Sequence, residues 1–221
     1  MIKENLAKLR ERIPENIELV CVSKFHPNKA ILEAYNCGER IFGESKVQEL
    51  LQKYETLPND ISWHFIGHLQ RNKVKYIIPF VELIHGVDSE RLLSEINKEA
   101  AKINRTVSCL LQVHIADEET KFGFDLDKLY QTLCSVSNSN YKNISIRGVM
   151  GMATLTQDLE QIRLEFRYLK KIFDDLKTKY FSDNPNFSEI SMGMSDDYRI
   201  AIEEGSTMLR IGSTIFGRRD Y

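Results

Sequence analysis

Short apolar segments alternate with helical ones from one end of this chain to the other, and that rhythm restricts the fold more than any other feature. Segments rich in Val, Ile, Leu and Phe stand at 18–23, 40–43, 61–66, 80–85, 107–114, 144–150, 187–191 and 207–211. Their near-continuous apolar character is what strands covered on both faces require. Between them the spacing predicts helices at 2–12, from Pro27 to Gly38, at about 44–55, after 69–73, and at about 89–103, 125–137, 156–179 and 196–204. Pro27 suits a first helical turn, Gly38 a C-cap and Ser89 an N-cap. Leu92, Leu93, Ile96 and Ala100 recur at helical spacing behind Ser89. Such alternation implies parallel strands joined by crossover helices. Eight strands are the number that closes a (β/α)8 TIM barrel, and 221 residues suffice for one. The alternative, an open doubly wound sheet, lacks its Gly-x-Gly-x-x-Gly fingerprint here, and the Walker phosphate loop is missing too. No Pro/Gly/Ser-rich linker divides the chain, so one α/β barrel domain over 1–221 is expected.

Barrel chemistry gathers at the C-terminal ends of strands. Lys24 stands at such an end, in Val22-Ser23-Lys24, just before Phe25-His26-Pro27. A lysine ending a buried strand is costly unless something uses it. Buried lysines lose their proton readily, and a neutral amine attacks a carbonyl to form a Schiff base. The plainer alternative is a side chain that snorkels to solvent. The other strand ends carry Gly43-Glu44-Ser45, His64 to His68, His85, His114, Met150 to Thr154, Ser191 to Ser195 and Arg210 to Thr214.

Barrels often bind phosphate with the loops after strands seven and eight. After strand seven comes Ser191-Met192-Gly193-Met194-Ser195, with two hydroxyls and a flexible glycine. After strand eight, Gly212 would let backbone approach a ligand, and Ser213 and Thr214 add donors. Ser195 is equally an ordinary N-cap, and Asp196 and Asp197 would oppose a phosphate, so both are expected to point away. Arg210 keeps its charge and would hold a phosphate, donate to a ring nitrogen, or pair with a carboxylate inside the barrel. An amine beside a phosphate site suggests an aldehyde-bearing phosphate: pyridoxal 5′-phosphate (PLP), or a sugar phosphate in a Schiff-base aldolase.

With 30 basic and 32 acidic residues the net charge is −2, which gives no electrostatic case for nucleic acid or an anionic membrane. No apolar run approaches the ~20 residues of a membrane span, and the charged opening residues do not resemble a signal peptide. Cys21, Cys37, Cys109 and Cys134 show no Cys-x-x-Cys spacing, and Cys21 and Cys109 lie in apolar runs as buried thiols. These traits fit a reducing cytoplasm. His64, Ile66 and His68 share a face of an extended segment, but no third metal ligand follows by spacing, so they read as structural or mouth-lining.

Several segments together resemble one family. They are Val22-Ser23-Lys24-Phe25-His26-Pro27, Phe42-Gly43-Glu44-Ser45-Lys46-Val47-Gln48-Glu49, and Trp63-His64-Phe65-Ile66-Gly67 through Leu69-Gln70 to Asn72-Lys73. Later come Gly148-Val149-Met150, Ser191-Met192-Gly193-Met194-Ser195 with Tyr198, Gly205-Ser206-Thr207, Arg210-Ile211-Gly212, and Ile215-Phe216-Gly217. End to end and in order, they resemble the pyridoxal phosphate homeostasis proteins, the family also called YggS or PROSC. The resemblance implies a fold-type III barrel like the N-terminal domain of alanine racemase, with PLP held as a Schiff base on Lys24. It implies phosphate contacts from Ser191, Ser195, Gly212 and Ser213, with Arg210 near the pyridine nitrogen or the phosphate. It also implies barrel packing beneath the cofactor ring from the segment around Met150. The family usually reads Gly-Glu-Asn-Tyr where this chain has Gly43-Glu44-Ser45-Lys46, so Ser45 offers a shorter, different donor toward the cofactor.

The family's role, by resemblance, is to store or deliver PLP and balance vitamin B6 pools rather than to run a robust reaction. Apo PLP-dependent enzymes are the implied partners, and a monomer is expected. The chief alternative is a PLP-dependent amino-acid racemase, which needs an acid/base on each face of its substrate. In the resembling racemases the second base is a tyrosine in a β domain after the barrel. This chain reaches Tyr221 soon after strand eight, so that domain is expected to be absent, and Tyr198 is expected on a helix flank. Lys46, Lys73 and Lys121 are candidates for a second cofactor-holding lysine, with no feature to choose among them.

Overall fold

A computed structural model describes residues 1–117, 122–138 and 141–217. Eight parallel strands close into a barrel, each paired with the next and β1 paired with β8. In chain order they are β1 (Glu18–Val22), β2 (Ile41–Glu44), β3 (Ser62–Phe65), β4 (Leu83–Val87), β5 (Val107–Gln112), β6 (Ile144–Met150), β7 (Glu189–Ser191) and β8 (Met208–Ile211). The helices are α1 (Ile2–Arg10), α2 (Asn28–Asn36), α3 (Val47–Thr56), α4 (Val74–Ile77), α5 (Glu90–Lys102), α6 (Leu126–Asn138), α7 (Leu159–Tyr180), α8 (Tyr198–Glu203) and α9 (Ser213–Phe216).

Alternation along each strand sorts side chains into two layers. On β1, Leu19 and Cys21 face outward into the main core, with Phe42, Trp63, Phe65, Phe166 and Phe187 also buried there. Val20 faces inward and meets Leu83, Leu110, Met150 and Met208. Cys21 and Cys109 are buried thiols, and burial pushes Cys109 up to about 12. No helix among the described residues is long and apolar enough to cross a membrane.

The expected strand at 80–85 lies further on, at Leu83–Val87. Phe80 and Val81 instead donate their N–H groups to Ile77 O, closing the turn after α4, and pairing begins only when Glu82 N–H donates to Trp63 O. An apolar run shared by a helix end and a strand start hides the boundary between them. Ser89 does cap α5, accepting from Leu92 N–H at 3.4 Å. Helix α9, directly after Gly212, had no counterpart in the sequence reading.

Candidate functional site

Strand β1 delivers Lys24 to the C-terminal mouth of the barrel. Ser23 N–H donates to Gly43 O at 3.0 Å, carrying the pairing one residue past the strand. The chain then turns sharply, with Phe25 in the left-handed region at φ 67, which is uncommon for a bulky residue. A cluster from β2 and α3 holds this turn. Phe25 N–H donates to Glu49 Oε1 at 2.6 Å, and Ser23 Oγ donates to Glu44 Oε1 at 2.5 Å. Lys53 Nζ donates to Ser23 O, Glu44 Oε1 and Glu49 Oε1 at 2.9, 2.7 and 2.7 Å. Lys53 and Glu44 are buried, at 4% and 0% exposure, and Glu44 Oε2 is a buried atom without a hydrogen-bond partner. Burial raises the Glu44 carboxyl above its ordinary range, against the pull of the Lys53 ammonium. The sequence reading missed Lys53, although Glu49 and Lys53 stand four apart on α3, the spacing of a helical ion pair.

A cavity of about 410 Å³ opens beside Lys24. Lys24, Ser195, Arg210, Gly212 and Ser213 all line it, with Val22, Ile66, Met152 and Met194 adding apolar surface. The β7 loop turns through Gly193 at φ 96, where a Cβ would sit 2.6 Å from the Ala201 side chain. Ser195 Oγ accepts from Thr214 N–H at 3.3 Å, tying this loop to the start of α9 rather than capping α8. The two acids after Ser195 part company. Asp197 turns back to accept from Met194 N–H at 2.5 Å, whereas Asp196 is exposed on the cavity wall, contrary to the expectation that both point away.

Arg210 is 4% exposed and tightly held. Its Nη1 donates to Ser191 O and Ser191 Oγ at 2.7 and 2.6 Å, and its Nη2 donates to Gly151 O at 3.0 Å. Burial brings it down to about 10, with Asp197 opposing that shift, so it stays cationic at neutral pH. Three expected site residues lie outside the cavity lining. Ser191 is fully buried behind Arg210, and Met150 belongs to the interior apolar cluster. Ser45 packs at the end of β2 against Gly67, where a Cβ would sit 2.5 Å from Ser45 O. Ile66 and Met152, which do reach the cavity, follow β3 and β6 by one or two residues, so the strand-end rule alone was the signal for them.

The remaining candidates disperse. His64 is buried in the barrel, while His68 pairs with Asp88 at 2.9 Å and stacks on Phe122. Among the described residues no group of three His, Cys, Asp or Glu side chains is placed to hold a metal ion. Lys46 lies over the Phe25 ring at 4.7 Å, Lys73 ends the 3-10 turn before α4, and Lys121 lies outside the described residues. Tyr198 is buried at the start of α8 and is not part of the cavity lining.

Fold and site together define a parallel barrel with a strand-end lysine beside the hydroxyl- and glycine-bearing loops of its last two strands. Comparison with known proteins is specific. The family described as alanine racemase, N-terminal domain, matches residues 1–220. The pyridoxal phosphate homeostasis protein of Aquifex aeolicus is 39% identical, covering 99% of this chain and 98% of that one. Its Escherichia coli counterpart is 36% identical, covering 100% and 97%. PipY of Synechococcus elongatus, solved with PLP bound, superposes with a TM-score of 0.88 at 35% identity over 98% of this chain and 100% of that one. An alanine racemase from Clostridium difficile shares the fold, with a TM-score of 0.73 at 15% identity over 100% of this chain and 56% of that one. This chain belongs to the alanine racemase N-terminal domain family and, within it, to the pyridoxal phosphate homeostasis proteins.

Proposed function

We propose that this chain binds PLP on Lys24 as a Schiff base and keeps or hands on the cofactor in intracellular vitamin B6 homeostasis. One observation carries the reading: a primary amine, two hydroxyls, an open glycine backbone and a buried arginine line the same cavity. That donor set fits a phosphorylated pyridine aldehyde. PLP, when bound, supplies an aldehyde that condenses with a primary amine, releasing water. Lys24 is the amine, and the cluster of Glu44, Glu49 and Lys53 fixes the backbone on either side of it. Ser195, Ser213 and the backbone at Gly212 bind the phosphate. Arg210, aimed by Ser191 and Gly151, would present a fixed cation to the pyridine nitrogen or the phosphate of the cofactor. Beside the nitrogen, such a cation would disfavour a proton there and weaken the ring as an electron sink, which suits a carrier better than a catalyst. Met150 supports the site from the barrel interior, and Ser45 and Ser191 act from behind the lining.

The chain works as one barrel domain over 1–221, as a cytoplasmic monomer, with apo PLP-dependent enzymes as recipients and no nucleic acid or membrane partner. Racemization requires an acid/base on each face of the substrate, and among the described residues no tyrosine lines the cavity. The test is the visible spectrum of the purified protein with added PLP. A yellow species bleached by borohydride in the wild type, and lost in Lys24→Ala, supports the reading. A protein that stays colourless sinks it and revives the sugar-phosphate aldolase.

A further inference from the structure

Four buried polar side chains from four strands form a column through the barrel: His64 of β3, His85 of β4, Ser191 of β7 and Arg210 of β8. His64 Nδ1 lies 3.1 Å from His85 Nε2, and His85 Nδ1 lies 3.0 Å from Ser191 Oγ. Arg210 Nη1 reaches the same hydroxyl at 2.6 Å. None of the four is more than 4% exposed. Arg210, at one end, lines the cavity that holds Lys24. His64, at the other, lines a well of about 200 Å³ at the N-terminal mouth, where its charged neighbours are Glu18, Glu82, Glu189 and Arg147. The charged or titratable groups acting on His85 are His64 and Arg210.

The direction of these bonds follows from the donor inventory. A guanidinium only donates, so Ser191 Oγ accepts from Arg210. The serine hydroxyl then needs an acceptor, and among the described residues His85 Nδ1 is the only one bonded to it. Burial holds His64 at about 3 and His85 well below its ordinary value, so each ring is neutral and carries one proton. His85 therefore carries its proton on Nε2 and donates to His64 Nδ1, which leaves the His64 proton on Nε2. Every bond in the column points away from Arg210.

We propose that His85 and His64 are positioning residues for Arg210, fixing the Ser191 hydroxyl so that its oxygen stays open to the guanidinium. Removing the His64 acceptor frees the His85 tautomer. Its proton then shifts to Nδ1, where it donates to the second lone pair of Ser191 Oγ, leaving the serine proton without its acceptor and turning the hydroxyl from its place under Arg210. The consequence for PLP rests on the function proposed above; the tautomers do not.

The experiment is long-range ¹H–¹⁵N NMR of the histidine rings in the wild type, His64→Asn and His64→Leu, first without added PLP and then through a PLP titration. Expected is an Nε2-protonated His85 in the wild type and in His64→Asn, whose amide oxygen replaces the lost acceptor. In His64→Leu the proton moves to Nδ1 and PLP affinity falls roughly tenfold, the scale of one buried polar group left unpaired. An Nδ1-protonated His85 in the wild type overturns the proposal, and so does a His64→Leu protein with wild-type tautomer and affinity. Should His64→Leu fail to fold, the wild-type tautomer alone decides. Should the wild type bind no PLP, the proposed function falls while the tautomers still judge the column.

Discussion

The two basic side chains that line the cavity, Lys24 and Arg210, are braced in different ways. The turn bearing Lys24 is gripped by a charged cluster, two carboxylates and a lysine, whose outer side faces a surface cavity of about 430 Å³. Arg210 is held by hydrogen bonds to neutral groups, Ser191 and the Gly151 carbonyl with His85 and His64 behind the serine, while the charge of Asp197 acts on it as well. The difference tracks what each brace must do. Phe25 sits in an unfavourable backbone conformation, and charge-assisted hydrogen bonds, about twice as strong as neutral ones, hold it there. Arg210 needs direction, which its neutral hydrogen-bond acceptors supply, and the buried Asp197 carboxylate adds charge compensation.

The two braces should therefore fail differently. The largest effect belongs to Lys53→Met, which leaves Glu44 buried without its counter-ion and should cost about 3–5 kcal/mol in chemical denaturation. Adding Glu44→Gln to that variant should recover much of the loss. A single-variant loss under ~1 kcal/mol would erase the contrast between the braces.

Next comes pH, where the braces carry opposite signs. Burial raises Glu44 above its ordinary 4.5, so the folded state takes up this proton at higher pH than the unfolded chain does. Its contribution is full below 4.5 and is lost as pH rises through the raised value. His64 goes the other way, from 6.5 unfolded to about 3 folded. Its contribution is full above 6.5 and is lost as pH falls toward 3, with a slope of up to ~1.4 kcal/mol per pH unit. His64→Asn should flatten the acid limb of a stability–pH curve; an unchanged limb would mean that His64 protonates freely in the folded protein. The smallest effect is expected from Lys46→Ala, which removes only an exposed cation from the Phe25 ring and should cost about 0.5 kcal/mol in the same denaturation series. A loss as large as that of Lys53→Met would move the Lys24 brace to the surface.

The barrel was legible because both of its layers leave a trace in single segments: apolar strands, caps such as Ser89 and C-terminal glycines. Lys24, Ser195, Arg210, Gly212 and Ser213 were legible as a set because strand ends converge on one mouth. Ser45, Met150 and Ser191 follow the same rule, yet they fall outside the lining, because which side of a strand end faces the cavity depends on register and loop path. Lys53 and His85 escaped as parts of a brace for a different reason. Only the Glu49–Lys53 pair is local; the contacts that make each residue part of a brace are remote, Lys53 standing 30 residues from Ser23 and His85 106 from Ser191. No local pattern records such pairings. Asp196 shows the same limit, since nothing in Ser195-Asp196-Asp197 tells which acid turns back and which faces the cavity.

The central claim, that Lys24 is the residue that holds PLP, is tested most directly by borohydride reduction of the PLP-loaded protein followed by peptide mass mapping. A pyridoxyl phosphate adduct on the peptide carrying Lys24, at about one per chain, is the predicted result. An adduct on Lys46, Lys53 or Lys73 with Lys24 unmodified, or no adduct at all, would contradict it.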